Sequence, residues 1–302
     1  MLYDIRVFAN TKEAGAMRLW KDTRELLRMI KVEHTIFALP FAYLGAFIAD
    51  GVPGWRPMLW ITLSMFGART AAMCFNRLVD QRLDALNERT KARALPAGRL
   101  SRTFVTAVTG LSVLLLLFSA SQLNALCFAL SPVAVAVIFF YSFTKRFTWL
   151  SHLFLGLALA IAPLGGWLAV SGGFGLAALL LGAVVGLWVA GFDIIYACQD
   201  VDFDSRYNLH SLPNAIGVGP ALVASALLHV LMLILLGVLY QRLRLGPLAL
   251  AGILITALLI AYEHWIVRPS DLSRVNAAFF TVNGIVSILL FLAIGLDIAL
   301  MK

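Results

Sequence analysis

The chain has 302 residues, of which 61% are hydrophobic and only 13% charged, and its mean hydropathy is +0.89. A soluble domain is nearer half apolar and a quarter charged, so this composition excludes a single soluble core, a disordered chain and a soluble nucleotide-binding enzyme, and it points to an integral membrane protein. The net charge of +8 is no sign of nucleic acid, because the basic residues fall in loops between apolar runs, where they orient membrane proteins.

Residues 1–34 carry seven basic and five acidic groups and no apolar core, so no cleavable signal peptide is expected. Within them, Ala16 to Lys31 mixes Leu19, Trp20, Leu26, Leu27 and Ile30 with Lys21, Arg24, Arg28 and Lys31. This stretch is either an amphipathic helix on the membrane surface or an ordinary helical lead-in to the first span. A transmembrane helix needs about 20 mostly apolar residues. Nine candidates follow in order: 35–50, 57–76, 103–121, 124–143, 152–171, 175–197, 215–240, 246–268 and 275–299. The first is short and must borrow from its flanks. With the N-terminus in the cytoplasm, nineteen basic residues fall on the inner side and four on the outer, an asymmetry that sets the orientation. The expected fold class is all-α: a polytopic membrane protein of nine transmembrane helices forming one domain over 1–302, with a cytoplasmic active-site mouth. The three cysteines, Cys74, Cys127 and Cys198, have no CxxC spacing and suggest neither disulfides nor a zinc site.

Only sixteen residues are acidic, so their positions carry information. After the second span, Asn76, Asp80 and Asp84 recur at i, i+4 and i+8, which is one helix face, and Met73 and Arg69 extend that stripe inward. After the sixth span come Asp200, Asp202 and Asp204; Asp200 and Asp204 share a face with Asp193 and Tyr196, while Asp202 points away. Asp80 and Asp200 are 120 residues apart, as are Asp84 and Asp204, and a Leu-Pro pair follows each cluster (Leu95-Pro96 and Leu212-Pro213). Spans 1–4 and 5–8 therefore read as two four-helix halves with a ninth helix added, which brings both acidic faces to one mouth.

Two carboxylates about 4 Å apart repel by roughly 4 kcal/mol at an effective dielectric near 20, so four of them converging require cations. Oxygen ligands without His or Cys suit a hard ion, and Mg²⁺ commonly takes one or two carboxylates together with substrate phosphates. Lys145 and Arg146 follow the fourth span, Arg77 and Arg82 flank the first cluster, and Arg206 and His210 follow the second. Carboxylates for Mg²⁺ ringed by cations describe a diphosphate site.

At these residues the chain resembles the UbiA superfamily of intramembrane aromatic prenyltransferases. The family pattern places an Asn and two Asp after the second helix, here Asn76, Asp80 and Asp84, and a pair of Asp after the sixth, here Asp200 and Asp204. The segment Tyr141 to Lys145 matches one that members place near the diphosphate, and the likeness covers almost the whole chain. Arg77 stands where many members have a second Asp, and His210 where several have Lys. Those choices, with the segment Glu33 to Phe41, look like the bacterial 4-hydroxybenzoate-type polyprenyltransferases, some of which act in menaquinone synthesis.

The resemblance implies Mg²⁺-dependent transfer of a polyprenyl group from its diphosphate to a hydroxylated aromatic acid in ubiquinone or menaquinone biosynthesis, in the bacterial inner membrane. The alternatives are prenylation of a dihydroxynaphthoate and, from another class, a secondary transporter. The implied ligands are a polyprenyl diphosphate and an aromatic acid within the lipid bilayer, with no nucleic acid and no obligate protein partner. Asp80 and Asp84 would hold one Mg²⁺ with help from Asn76, and Asp200 and Asp204 another. Lys145, with Arg77 or Arg146, would meet the departing diphosphate beside Tyr141. Phe66, Phe75 and Tyr196 are the aromatics nearest in sequence for the allylic cation. Arg69 either receives the acceptor's carboxylate or pairs with Asp193, which otherwise serves the phenol as a catalytic base or orients it. His152, His229 and His264 read as packing residues, His34 as a local partner of Glu33, and His210 as a possible diphosphate contact. Gly182, Gly186 and Gly191 read as a close helix-packing surface.

Overall fold

The computed structural model describes residues 20–31 and 38–300. Glu33, His34 and the first part of the lead-in segment lie outside the described residues. Helices are labelled in chain order: α1 (residues 20–30), α2 (Leu39–Asp50), α3 (Trp55–Leu86), α4 (Arg102–Leu123), α5 (Ala125–Thr144), α6 (Ser151–Ser171), α7 (Leu176–Ala197), α8 (Val201–Arg206), α9 (Leu212–Ile216), α10 (Val218–Leu243), α11 (Pro247–Ile266) and α12 (Asn283–Leu300). A 3₁₀ turn, Cys198–Asp200, joins α7 to α8, and a π-helical turn, Ala277–Val282, leads into α12. Among the described residues the only β pairing is an isolated bridge between Arg268 and Asp271.

Eight helical stretches among the described residues are long and apolar enough to cross a membrane: α3, α4, α5, α6, α7 continued to Arg206, α10, α11, and the π turn with α12. The first expected span, 35–50, is represented by α2 alone, twelve residues long. Pro40 lies in its first turn, where a missing N–H costs nothing.

Three boundaries differ from the expected ones. α3 runs for 32 residues, well past position 76, because Arg77 to Leu86 contains neither Gly nor Pro and Leu78 and Asp84 find buried partners. Asn76, Asp80 and Asp84 therefore ride one unbroken helix. The second acidic motif, by contrast, straddles the turn after α7, which changes register at Cys198–Asp200. The expected span from 215 begins instead at Val218, since Gly217 sits at φ 86°, a left-handed conformation that separates α9 from α10.

The bundle packs through small residues, as expected where lipid gives helices no hydrophobic reason to associate. A Cβ built on Gly166 would stand 1.8 Å from the Ala42 carbonyl oxygen, and one on Gly45 would stand 2.1 Å from that of Pro163, so α2 and α6 touch backbone to backbone. Gly156 faces the Gly186 carbonyl in the same way, joining α6 to α7, and Gly191 makes room for the His229 ring. α3 packs along α4 and α7 along α10, the equivalent pairs of the two proposed halves. Asn124 caps α5 through the Cys127 N–H and donates to the Leu168 carbonyl at the end of α6.

The apolar core gathers around Trp188, Phe41, Leu181 and Leu236. Three side chains form a chain of bonds beside it: Trp188 Nε1 donates to Asn283 Oδ1 (2.7 Å), and Asn283 Nδ2 donates to Glu263 Oε1 (2.8 Å) and to the Ala278 carbonyl of the π turn (3.1 Å). His229 and His264 do more than pack: they share a hydrogen bond, Nδ1 to Nε2 at 2.9 Å, and His229 Nε2 donates to the Trp188 carbonyl (3.1 Å).

Candidate active site

α3 and α7 both end at the same end of the bundle, so the two acidic motifs converge from opposite halves. A cavity of about 1240 Å³ opens there, beside loop 87–101, and runs between α3, α5, α6 and α7 to Phe174 at the far end. Its far wall is Ala, Leu, Ile and Val, whereas its near end presents Arg69, Asn76, Arg77, Tyr141, Asp193 and Tyr196. Asp84, Asp193, Asp200 and Asp204 are all buried.

Each motif carboxylate meets a cation. Asn76 Nδ2 donates to Asp80 Oδ2 (2.9 Å), and Arg146 Nη2 takes Asp80 Oδ1 (2.8 Å). Asp84 lies between Arg93 (2.6 Å) and Arg77 (3.5 Å). Asp200 is gripped by Arg89 through Nε (3.1 Å) and Nη2 (2.6 Å), and Asn87 Nδ2 adds a third bond at 3.3 Å. Lys145 Nζ stands 3.6 Å from Asp204 Oδ2, an oxygen that is buried and accepts no hydrogen bond. Asp202 is exposed, as its helical phase predicted.

Arg89 and Arg93, both on the cavity wall, are not among the cations that the sequence reading brings to the site, where only Arg77 and Arg82 of this region flank the acids. Their four-residue spacing directly after an acidic motif was the available signal. Arg89 also donates to the Tyr196 hydroxyl (2.7 Å) and lies over its ring. Burial would pull the Arg89 guanidinium below its ordinary range, but Asp200 and Tyr196 together outweigh that and leave it raised.

Other residues fall differently from expectation. Asp193 pairs with His152, Nδ1 to Oδ2 at 2.7 Å, so His152 is not a mere packing residue, and the alternative pairing of Asp193 with Arg69 gives way to this one. Arg69 lines the cavity. His210 is exposed, and its backbone N–H donates to the Lys145 carbonyl (2.7 Å). Phe75 stacks on Phe139 with centroids 4.0 Å apart and Phe66 is exposed, so neither faces the cavity. The rings beside Tyr196 there are Phe192, Phe279 and Phe280, and Phe279 lies 4.3 Å from Tyr196. The three cysteines are free.

Among the described residues no three of His, Cys, Asp and Glu come together as one metal cluster. The donor set is instead two carboxylate pairs, one per motif, and the buried, unbonded Oδ2 of Asp204 is the kind of atom a hard cation satisfies. The pairs fit Mg²⁺ and leave phosphate oxygens to complete its shell.

A family model described as the UbiA prenyltransferase family matches residues 38–291. A relative from Vibrio campbellii named 4-hydroxybenzoate octaprenyltransferase is 31% identical over 91% of this chain and 96% of its own. Another of that name, from Xanthomonas euvesicatoria pv. vesicatoria, is 32% identical over 83% of each. The apo structure of a UbiA homolog from Aeropyrum pernix K1 superposes with a TM-score of 0.81 at 34% identity, covering 88% of this chain and 98% of that one. A UbiA homolog from Archaeoglobus fulgidus bound to DMAPP and Mg²⁺ shares the fold at 20% identity, with a TM-score of 0.71 over 92% and 100% of the two chains. Motif spacing, helical architecture and relatives agree: the chain is a multi-span membrane protein that belongs to the UbiA prenyltransferase family.

Proposed function

We propose that this enzyme transfers a polyprenyl group from a polyprenyl diphosphate to the ring of 4-hydroxybenzoate, with Mg²⁺, in the bacterial inner membrane. The observation that carries the reading is the pairing of each motif carboxylate with a cation at the mouth of one deep, largely apolar cavity. A polar, doubly charged head and a long apolar tail are what such a site accommodates. The Vibrio and Xanthomonas relatives, both named 4-hydroxybenzoate octaprenyltransferase and matched over most of their length, favour this acceptor over a dihydroxynaphthoate.

Asp80 and Asp84, with Asn76, would hold one Mg²⁺, and Asp200 and Asp204 the other; the metal supplies charge neutralisation to the departing diphosphate. The chain's own cations do the rest. Arg89, Arg93, Arg146 and Lys145 are long side chains that, released from their carboxylates, reach the diphosphate oxygens. Charge placed in advance where it develops is usually the largest catalytic contribution. The apolar wall excludes water from the allylic cation, and Tyr196, Phe192, Phe279 and Phe280 offer it ring faces worth about 0.5–2 kcal/mol each. Arg69 would receive the acceptor's carboxylate. The Lys and Arg bias supports a cytoplasmic mouth and a cytoplasmic N-terminus.

The test uses detergent-purified protein with geranyl diphosphate, Mg²⁺ and three acceptors: 4-hydroxybenzoate, 1,4-dihydroxy-2-naphthoate and 1,4-dihydroxy-6-naphthoate. Product from 4-hydroxybenzoate, lost with EDTA and in Asp80→Ala, supports the proposal. Product from a naphthoate alone moves the acceptor, and no prenylated product from any of the three overturns it.

A further inference from the structure

His152 is almost wholly buried at the start of α6, and both of its ring nitrogens are used. Nε2 accepts the backbone N–H of Leu212 at 3.2 Å. A neutral imidazole that accepts at one nitrogen carries its proton on the other, so Nδ1–H donates to Asp193 Oδ2 across 2.7 Å. Leu212 opens α9 and closes the segment that carries Asp200, Asp204 and His210. Two residues earlier, the His210 N–H binds the Lys145 carbonyl at 2.7 Å. The segment after the second motif is thus stitched twice, to the connector after α5 and to the first turn of α6, and the second stitch continues through the imidazole to a carboxylate on the cavity wall.

That carboxylate is not part of either acidic motif. Asp193 lies seven residues before Asp200, two turns deeper along α7, level with the ring-lined part of the cavity where Tyr196 and Phe192 stand. With Oδ2 taken by His152, Oδ1 remains for a ligand in the cavity. A carboxylate oxygen accepts strongly from a phenolic O–H, and that bond pushes electron density into the ring whose carbon must attack.

We propose that His152 is a positioning residue for the acceptor: it fixes the Asp193 carboxylate so that its free oxygen takes the hydrogen bond of the acceptor's ring hydroxyl. The proposal rests on the aromatic-acceptor reading above and extends it to a residue pair outside the motifs. A side chain that only packs would tolerate any apolar replacement of similar size. A side chain that must donate to Asp193 and accept from Leu212 is replaced best by glutamine, whose amide does both.

The experiment measures steady-state kinetics of the full chain in detergent with geranyl diphosphate and Mg²⁺, for wild type, H152A, H152Q and D193N. KM is determined separately for the hydroxylated acceptor and for the diphosphate, and Ki for 4-methoxybenzoate, which has the acceptor's carboxylate but no hydroxyl to donate. H152A and D193N lower kcat/KM for the acceptor by about tenfold or more, the loss expected for one hydrogen bond to a charged group. The KM for the diphosphate and the Ki for the methoxy compound stay within about twofold of wild type, and H152Q recovers most of the loss. Should H152A fail to fold, D193N and H152Q carry the same test. A parallel rise of both KM values, an equal rise in the Ki, or an H152Q no better than H152A would each reduce His152 to a structural role and overturn the proposal. A wild-type enzyme that prenylates no hydroxyaromatic acid ends the acceptor reading itself, and this proposal with it.

Discussion

Arg89 reaches Asp200 with two hydrogen bonds, Nε to Oδ1 and Nη2 to Oδ2, from 111 residues away in sequence. The pair joins the loop after the first acidic motif to the second motif itself, and Asn87 Nδ2 reinforces it. A guanidinium fork matched to a carboxylate is the strong form of an ion pair, and this one is mostly shielded from water. Loop 87–101 therefore straps the two halves together where the chemistry is expected.

Arg89→Lys keeps the charge but not the fork, and a point charge cannot hold both carboxylate oxygens and the Tyr196 hydroxyl. We expect kcat/KM for the prenyl diphosphate to fall about tenfold to a hundredfold in both Arg89→Lys and Arg89→Ala, the worth of one hydrogen bond to a charged group. Steady-state kinetics at saturating acceptor reads it. A lysine variant as active as wild type would show that charge alone suffices.

Because Asp80, Asp84 and Asp200 already have resident cations, Mg²⁺ alone gains little by displacing them. Mg²⁺ together with a prenyl diphosphate gives those arginines a new anion to hold. We expect Mg²⁺ alone to leave the thermal unfolding midpoint nearly unchanged, and the two together to raise it by several degrees, reversed by EDTA. A large shift with Mg²⁺ alone would contradict the pairing.

The contact between α2 and α6 leaves no room for a side chain at Gly166, where a Cβ would lie 1.8 Å from a backbone carbonyl oxygen. Gly166→Ala should cost about 1–3 kcal/mol or more, since neither backbone can yield. Gly182→Ala is the control: its Cβ would meet only the Leu164 side chain, at 3.2 Å, which can rotate away. A thermal-shift comparison of the two separates them.

Glu25 in α1 bonds Arg99 Nε at 2.8 Å and ties this helix to loop 87–101. The Arg99 hydrogen bond is the main cause that holds its carboxyl below the usual range. A lowered folded-state pKa gives a contribution that is present above the unfolded value, near 4.5, and lost as pH falls through the folded one. Protection of loop 87–101 against hydrogen exchange, taken relative to the intrinsic rate at each pH, should therefore fall as pH drops below about 4.5 in the wild type. In Glu25→Gln that protection should be low already at pH 7.

Much of this was legible beforehand because membrane chains write their helices in composition. Apolar runs of fixed length located the spans, and the i, i+4, i+8 spacing placed Asn76, Asp80 and Asp84 on one face. What escaped depends on three-dimensional partners. Arg89 and Arg93 looked like orienting charges because sequence cannot say which carboxylate lies across a loop. His152 looked like packing because its partners are 41 and 60 residues away. Phe279 and Phe280 lie on the ninth expected span, far along the chain from both motifs, so proximity in sequence favoured Phe66 and Phe75 instead.

The unbroken course of α3 has a further consequence. At about 1.5 Å of rise per residue, the eleven residues from Arg69 to Asp80 span roughly 16 Å along a rigid axis. On the roles proposed above for Arg69 and Asp80, the helix works as a gauge: it sets the separation of the two residues that would hold the acceptor's carboxylate and the metal-bound diphosphate. Inserting one residue between them would swing the whole carboxylate row about 100° around the axis, away from α7. Point changes along this helix can be tuned one at a time, but its length cannot drift, so on those roles the acceptable substrate size would be written in a residue count.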